Sequence, residues 1–330
     1  MKNRNRPCLI RRRLVIGAAL CFSAPRMALA QKRMPLVGVI LAPAIPNRFM
    51  ETLRNGLREL GYVEGKTARI EWRSAGGRPE RFPVLARELV QLKPDVIVAG
   101  GGSPAVRAAM DATADIPIVF PASGDPVGDG LVQSLARPGG NVTGTSILTD
   151  EMNAKRVELL RELRPGIKRA ALLLDPKLRS SYDQLSAAQQ AAKALGIVLE
   201  VLRPGGPEEY AAAFEEAKRR AEVLIVLPSS SFNAHRRELI SLADRHGLIT
   251  MWEHREFTMA GGLASYGPDF GEMYRVTARK VARILEGAKP GDLPIEQATK
   301  LELVINLRTA KAQKLTIPHA LLLRADQVIR

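Results

Sequence analysis

The first candidate for ligand chemistry is a glycine-rich turn, Gly-Gly-Gly-Ser-Pro, at residues 100–104. It directly follows the apolar run at residues 96–99, which is typical of a buried strand. Glycines let the backbone approach a ligand closely, and Ser103 and Pro104 are suited to the N-cap and the first position of a helix. Free amides at such a helix start favour a carboxylate or a phosphate. A tight strand-to-helix turn with nothing bound is the alternative.

A second candidate lies after the apolar run at residues 116–120, where Ser123 and Asp125 stand in the segment Pro-Ala-Ser-Gly-Asp-Pro. Ligands of open α/β sheets bind beyond the carboxyl ends of strands, so both residues are candidates for the site. Asp125 is suited to bind a ligand ammonium group, and Ser123 can donate or accept a hydrogen bond. Asp125 is equally suited to cap a helix that begins near Pro126.

Two later strand ends carry further candidates. Ser229, Ser230 and Asn233 follow the apolar run at residues 223–227. One serine can cap the helix expected there, which leaves the other polar side chains free to face a cleft. Trp252 and Tyr266 are candidates for stacking on an aromatic or apolar ligand, although buried packing roles suit the same two residues.

The residue types of common catalytic and metal centres do not occur in a working arrangement. Four histidines are scattered without the spacing of metal ligands, at His235, His246, His254 and His319. No Gly-x-Ser-x-Gly nucleophile elbow occurs, and no Gly-x-Gly-x-x-Gly fingerprint follows the first apolar run. We therefore expect no catalytic residues, no metal and no cofactor.

Residues 1–30 have the pattern of a cleavable secretory signal peptide. A basic head precedes an apolar run at residues 14–22, and Ala28-Leu29-Ala30 has the small-x-small pattern that signal peptidase cuts. The segment carries seven cations and no acid, which reduces the formal charge from +15 for the whole chain to +8 for the remainder. It also contains both cysteines, so the mature chain has no thiol. These features predict export to the periplasm, by either the general secretory or the twin-arginine route.

The elements that must position the candidate residues alternate between apolar runs and amphipathic stretches. Runs rich in Val, Ile and Leu indicate parallel strands buried on both faces, at residues 36–41, 96–99, 116–120, 170–174, 223–227 and 248–251. Leucines or alanines that repeat on one face predict helices between these strands. The alternation predicts an α/β fold with open, doubly wound sheets in two blocks, joined by a hinge rather than by a flexible linker.

Several stretches of the mature chain together resemble the ABC-transporter substrate-binding proteins, in the group that includes tryptophan-binding-like members. These stretches are residues 56–65, 116–120 with 124–127, 135–144, 155–163, 256–257 with 261–267, and 303–307. The resemblance implies a type I periplasmic-binding-protein fold, with two Rossmann-like lobes, three crossover strands and a cleft between the lobes. The lobe boundaries expected from it are 31–147 plus 262–300, and 148–261 plus 301–330.

The resemblance also implies site residues. Gly102, Ser103 and Pro104 match the turn that cradles a ligand carboxylate, and Asp125 lies in the matching Gly-Asp-Pro motif. The loop at residues 42–47, which includes Asn47, contributes ligand contacts in such proteins and is mostly apolar here.

The implied function is the capture of a small solute, an amino acid or a related carboxylate, and its delivery to an ABC permease in the inner membrane. A small-molecule ligand and the permease are the expected partners; nucleic acid is not expected, and we expect a monomer. An exported sensing module that feeds a membrane receptor or kinase fits the same features. A transcriptional regulator would need an N-terminal helix-turn-helix, where this chain has its signal segment instead.

Overall fold

Parallel β-sheets organise both halves of the protein, which this computed structural model describes at residues 33–43, 47–147 and 149–330. The strands in chain order are β1 (Leu36–Leu41), β2 (Arg69–Ser74), β3 (Val96–Gly100), β4 (Ile118–Ser123), β5 (Val142–Ser146), β6 (Arg169–Leu173), β7 (Val198–Leu202), β8 (Val223–Val226), β9 (Ile249–Trp252), β10 (Ala264–Pro268), β11 (Glu296–Gln297), β12 (Leu301–Asn306) and β13 (Gln327–Ile329). The predicted signal peptide, residues 1–30, lies outside the described residues.

The strands form two sheets. The first has the order β11-β5-β4-β3-β1-β2 and its strands pair in parallel. The second has the order β13-β12-β10-β9-β8-β6-β7 and is mostly parallel, with β10 and β12 antiparallel. The central strands β1, β3 and β8 are fully buried, as their continuous apolar sequences predicted.

Helices cover both faces of each sheet. They are α1 (Arg48–Glu59), α2 (Phe82–Gln91), α3 (Ser103–Ala112), α4 (Thr149–Leu163), α5 (Ser180–Ala194), α6 (Tyr210–Arg220), α7 (Ser230–Ala234), α8 (Arg236–His246), α9 (Arg255–Met259), α10 (Phe270–Leu285), α11 (Leu307–Ala312) and α12 (His319–Arg324). In α1, Phe49, Leu53 and Leu57 lie on one face and are buried, as their spacing predicted. The side chain of Asn47 begins this helix by accepting hydrogen bonds from the amides of Phe49 and Met50.

The two sheets define two lobes. The first lobe contains the first sheet with α1, α2, α3 and α10, and the second contains the second sheet with the remaining helices. An apolar cluster fills each face of each sheet, so each lobe has its own core. None of the described helices is long and apolar enough to cross a membrane.

The chain passes between the lobes three times, after β5, after β10 and after β11. The ammonium group of Lys300 lies 2.8 Å from a carboxylate oxygen of Asp269, and this pair joins two of the crossings. The lobe boundary expected before residue 262 is wrong, because β10 pairs with β9 and β12 of the second sheet. The crossing comes after Pro268 instead, because strand pairing assigns a strand to its sheet and an apolar sequence alone does not specify its partner.

Candidate functional site

A cleft opens between the two lobes at the carboxyl ends of their strands, where ligands of α/β sheets bind. Its empty space is about 940 Å³, including part of the solvent at its mouth. The first-lobe residues that line it are Ala42, Pro43, Phe49, Gly100, Gly101, Gly102, Ser103, Pro104, Pro121, Ala122, Ser123, Gly124, Phe270 and Tyr274. From the crossing after β5 and from the second lobe come Ile147, Leu178, Ser180, Gln184, Pro228, Ser229, Ser230, Asn233, Glu253 and His254.

The glycine-rich turn delivers backbone amides to this cleft. Gly102, with φ of +67°, is the residue before α3, and Ser103 is the first residue of the helix. Within the described part of the chain, the amides of Gly101, Gly102 and Ser103 have no hydrogen-bond acceptor. The start of this ten-residue helix therefore presents unpaired donors together with its positive dipole end.

Ser103 does not cap α3, so that prediction is wrong. Its hydroxyl donates to the carboxylate of Asp129 and lies 3.2 Å from the hydroxyl of Ser123. Burial raises the pKa of Asp129 above its usual value, against the lowering effect of the Ser103 hydrogen bond. Gly102 takes the cap position because its positive φ suits a residue without a side chain.

Asp125 lies outside the cleft lining and acts in a turn. A carboxylate oxygen of Asp125 accepts a hydrogen bond of 2.8 Å from the amide of Gly128. Residues 126–130 form turns rather than a helix, so the alternative prediction that Asp125 caps a helix near Pro126 is wrong. A short Asp side chain followed by tight turns satisfies local backbone donors, which explains this placement.

The hydroxyl run of the second lobe divides as the sequence suggested. Ser229 caps α7 by accepting from the amides of Ser231 and Phe232, and its hydroxyl donates to Asp175. Ser230 lines the cleft, and its hydroxyl has no partner among the described residues. Asn233 also lines the cleft.

The two aromatic residues singled out in the sequence do not line the cleft. Trp252 is fully buried and stacks on Phe257 with 4.7 Å between ring centroids, so it packs the core of the second lobe. Tyr266 is half-buried and also lies outside the lining. Asn47 lies at the start of α1, outside the lining as well.

Three other aromatic rings line the cleft. Phe49 stacks on Tyr274 with centroids 5.1 Å apart and tilts against Phe270 at 5.8 Å. Sequence reasoning missed these rings because their helical spacing is typical of a helix face buried in the core. They are indeed mostly buried, yet each still contributes to the cleft surface.

A cluster of buried charged and titratable groups lies at the end of β9. Glu253 and His254 line the cleft with only 5% and 3% of their surfaces exposed. His254 Nδ1 lies 2.7 Å from Glu256, and its Nε2 lies 3.5 Å from Glu253. Sequence reasoning missed this cluster, although the strand-end rule that pointed to Trp252 applied equally to the next two residues.

Different surroundings separate the acidities of the two glutamates. Burial raises the pKa of Glu253 to about 7 and outweighs the opposing effects of His254 and Arg156. Burial also acts to raise the pKa of Glu256, but the hydrogen bond from His254 and the charges of His254 and Arg48 lower it to about 2. At neutral pH Glu256 is therefore ionised, whereas Glu253 is poised between its two forms.

Several contacts join the lobes across the cleft, among them a ring contact between His254 and Phe270 with 4.9 Å between centroids. Arg48 of α1 forms an ion pair with Glu256 of α9, with 2.6 Å between nitrogen and oxygen. Gly77 of the first lobe lies against Ala234 of α7 so closely that a Cβ at Gly77 would be 2.7 Å from the Ala234 Cβ. The described lobes are therefore in direct contact.

The arrangement is that of a binding site. Over the described residues, no group of three or more His, Cys, Asp or Glu side chains is placed to hold a metal ion. The lining instead combines apolar rings, amides, hydroxyls and one carboxylate–imidazole pair, which suits a small molecule with apolar and polar ends.

A model of the ABC transporter substrate-binding protein family matches residues 38–329. A tyrosine-binding protein of Clostridioides difficile (strain R20291) is 30% identical over 278 residues, which are 82% of this chain and 79% of that protein. The crystal structure of a conserved domain protein from Vibrio cholerae is 30% identical with a TM-score of 0.82, over 90% of this chain and 100% of that one.

An ABC domain from Streptococcus pneumonia, crystallised with L-Trp, is 26% identical with a TM-score of 0.83, over 89% of this chain and 99% of that one. These similarities confirm the predicted two-lobe α/β fold and the predicted class, a binding protein rather than an enzyme. The chain belongs to the ABC transporter substrate-binding protein family.

Proposed function

We propose that this protein captures a small solute with a carboxylate group, an amino acid or a related acid, in the cleft and delivers it to an ABC permease. The unpaired amides at the start of α3 carry the proposal, because they lie in the lining of the cleft and favour an anionic group. No Lys or Arg lies among the described lining residues, so those amides and the nearby hydroxyls would hold the carboxylate.

The rings of Phe49, Phe270 and Tyr274 give the ligand an apolar surface on the first lobe. A tyrosine-binding relative and a neighbour crystallised with L-Trp support an amino acid with a large side chain. The signal pattern of residues 1–30 supports export to the periplasm, where the cleft would meet solutes before they reach the inner membrane.

Binding is tested with the purified chain 31–330 by thermal shift and calorimetry. The panel contains L-tyrosine, L-tryptophan, L-phenylalanine, L-leucine and L-valine, together with the amine-free acids 3-(4-hydroxyphenyl)propanoate and indole-3-propanoate. A specific binder raises the melting temperature by mass action. Matched carboxamides, such as L-tryptophanamide for L-tryptophan, should bind at least tenfold more weakly; equal binding of acid and amide would remove the carboxylate from the proposal.

Delivery is tested by uptake of the radiolabelled binder in cells that lack the gene and carry either wild-type protein or Ser230→Trp. The indole ring introduced at residue 230 would fill the cleft, so uptake should fall to the level of the deletion strain. Glu238→Gln, a change on the exposed face of α8, serves as the matched control and should restore uptake. Equal uptake with Ser230→Trp and wild type would contradict the role in delivery.

A further inference from the structure

Glu253 is the one acidic side chain that the described cleft lining exposes to a ligand. It follows β9 directly, and only 5% of its surface is exposed. It lies on the second lobe, whereas the unpaired amides of α3 lie on the first. A ligand that bridges the lobes would therefore meet donors at one end and a carboxyl group at the other.

The carboxyl group of Glu253 has no Lys or Arg side chain as a direct partner. The backbone amide of Ser229 donates to it, and His254 Nε2 lies 3.5 Å away. The guanidinium of Arg156, on α4, donates to the main-chain carbonyl of Glu253 instead, at 2.9 Å. Among the described residues, no Lys or Arg nitrogen lies within ion-pair distance of this carboxyl group.

The other charged groups around Glu253 are already engaged. Glu256 of α9 is paired with Arg48 and His254, and its negative charge disfavours ionisation of Glu253. Arg236 of α8 donates to the side chain of Asn233 and acts on Glu253 only from a distance. Burying a carboxylate without a Lys or Arg partner is costly, and this burial raises the pKa of Glu253 in the empty cleft.

We propose that Glu253 receives the ammonium group of the ligand, so that the cleft selects amino acids over amine-free acids and releases up to one proton, depending on pH, when it binds them. The inference rests on the proposed function, because the ligand carboxylate is assigned to the amides of α3. The ligand arrives as a zwitterion with its ammonium already protonated. The Glu253 acid loses its O–H proton to the solvent, and the resulting carboxylate forms an ion pair with the ammonium.

The expected signature is a pH-dependent affinity. Burial puts the pKa of Glu253 near 7 in the empty cleft, and the ligand ammonium would lower it. Binding at pH 7 should therefore release about half a proton, and at pH 6 about 0.9. Affinity should weaken as pH falls below 7, by at most about tenfold per pH unit, since one proton is exchanged.

The test is calorimetry of the chain 31–330 with the five amino acids and the two amine-free acids named above. Each titration is run in phosphate and in Tris, whose ionisation enthalpies differ, so the heats report the protons released. The variant is Glu253→Gln, which keeps the shape and a hydrogen-bonding group but removes the charge. Glu238→Gln is the matched control.

Wild-type protein should bind at least one amino acid about 10–100-fold more tightly than its amine-free counterpart, with proton release. Glu253→Gln should lose that preference and the proton release, while its affinity for the amine-free acid stays within threefold of the wild-type value. Retained affinity for the acid also reports that the variant is folded.

Two results overturn the inference. One is a wild-type cleft that binds an amine-free acid as tightly as the amino acid, which leaves the capture function standing but removes the ammonium site. The other is proton release that persists in Glu253→Gln, which would assign the proton to another group such as His254. If no compound of the panel binds, both the inference and the proposed ligand class are rejected.

Discussion

The ion pair between Arg48 and Glu256 should stabilise the closed cleft, and we predict that Arg48→Met weakens ligand binding. The pair joins α1 of the first lobe to α9 of the second, with 2.6 Å between the charged atoms. Opening of the lobes would separate those atoms, so the pair contributes to the closed form alone. Methionine keeps the long apolar stem and the helical propensity at the first position of α1.

The size of the effect follows from the exposure of the two partners. Glu256 is 8% exposed, whereas Arg48 is 44% exposed and is screened by solvent. Hydrogen bonds to charged groups contribute about 1.5–3 kcal/mol when buried, and exposed ion pairs contribute about 0.2–1 kcal/mol. A half-exposed pair should therefore contribute about 1 kcal/mol, which corresponds to a roughly fivefold higher Kd when the empty protein is mostly open.

Calorimetry with the best binder of the panel measures the Kd of wild type, Arg48→Met, Glu256→Gln and the double variant. The cycle isolates the coupling between the two side chains, because the effect of Glu256→Gln on His254 is common to both arms. Arg58→Met, an exposed change on the same helix, is the control. A coupling energy below about 0.3 kcal/mol would refute a closing role for the pair. Small-angle scattering should independently give a larger radius of gyration for ligand-bound Arg48→Met than for the ligand-bound wild type.

Three further predictions use other parts of the site. Asp125→Ala should leave ligand affinity within twofold by calorimetry, while loss of its bond to Gly128 lowers the free energy of unfolding by about 1 kcal/mol; a large loss of affinity would return Asp125 to the site. Ala234→Leu should press against Gly77 and hold the lobes apart, which calorimetry would record as at least tenfold weaker binding with an unchanged melting temperature of the empty protein. Glu253→Gln should raise the free energy of unfolding of the empty protein by roughly 1–3 kcal/mol at pH 8. The pKa of Glu253 near 7 lies above that of the unfolded chain, so the wild type loses stability as pH rises from about 4.5 to 7, whereas the variant does not. Equal denaturation curves for wild type and variant at pH 5 and at pH 8 would contradict this prediction.

Burial on both faces made six of the thirteen described strands predictable from the sequence. The six apolar runs correspond to β1, β3, β4, β6, β8 and β9, because strands buried on both faces must be apolar at every position. The edge strand β7 was not predicted, since Val198 is 54% exposed there and Glu200 interrupts the apolar pattern. Edge positions need less burial, so their sequences carry a weaker pattern.

The site was predictable in its backbone and much less so in its side chains. The strand-end rule located the turn at residues 100–104, Ser123, and Ser229 with Ser230 at the start of α7, all of which line the cleft. It did not distinguish Trp252, which is directed into the core, from Glu253, which faces the cleft. Successive residues of a strand point to opposite sides, and strand pairing in three dimensions decides which side is the cleft.

Arg156 and Glu253 are both buried, and their partners distinguish a structural role from a ligand-binding role. The three nitrogen atoms of the Arg156 guanidinium donate to Tyr266, Asn153 and Glu253, so folding itself satisfies this charge. The carboxyl group of Glu253 is equally buried but borders the cleft without a Lys or Arg partner, and folding leaves it incompletely paired. Such a group lowers stability when the cleft is empty and gains a partner only when a ligand fills the cleft. Ligand binding therefore favours the closed form. The incomplete pairing of Glu253 is therefore the feature that makes the ammonium group of a ligand, rather than the fold, its expected counter-ion.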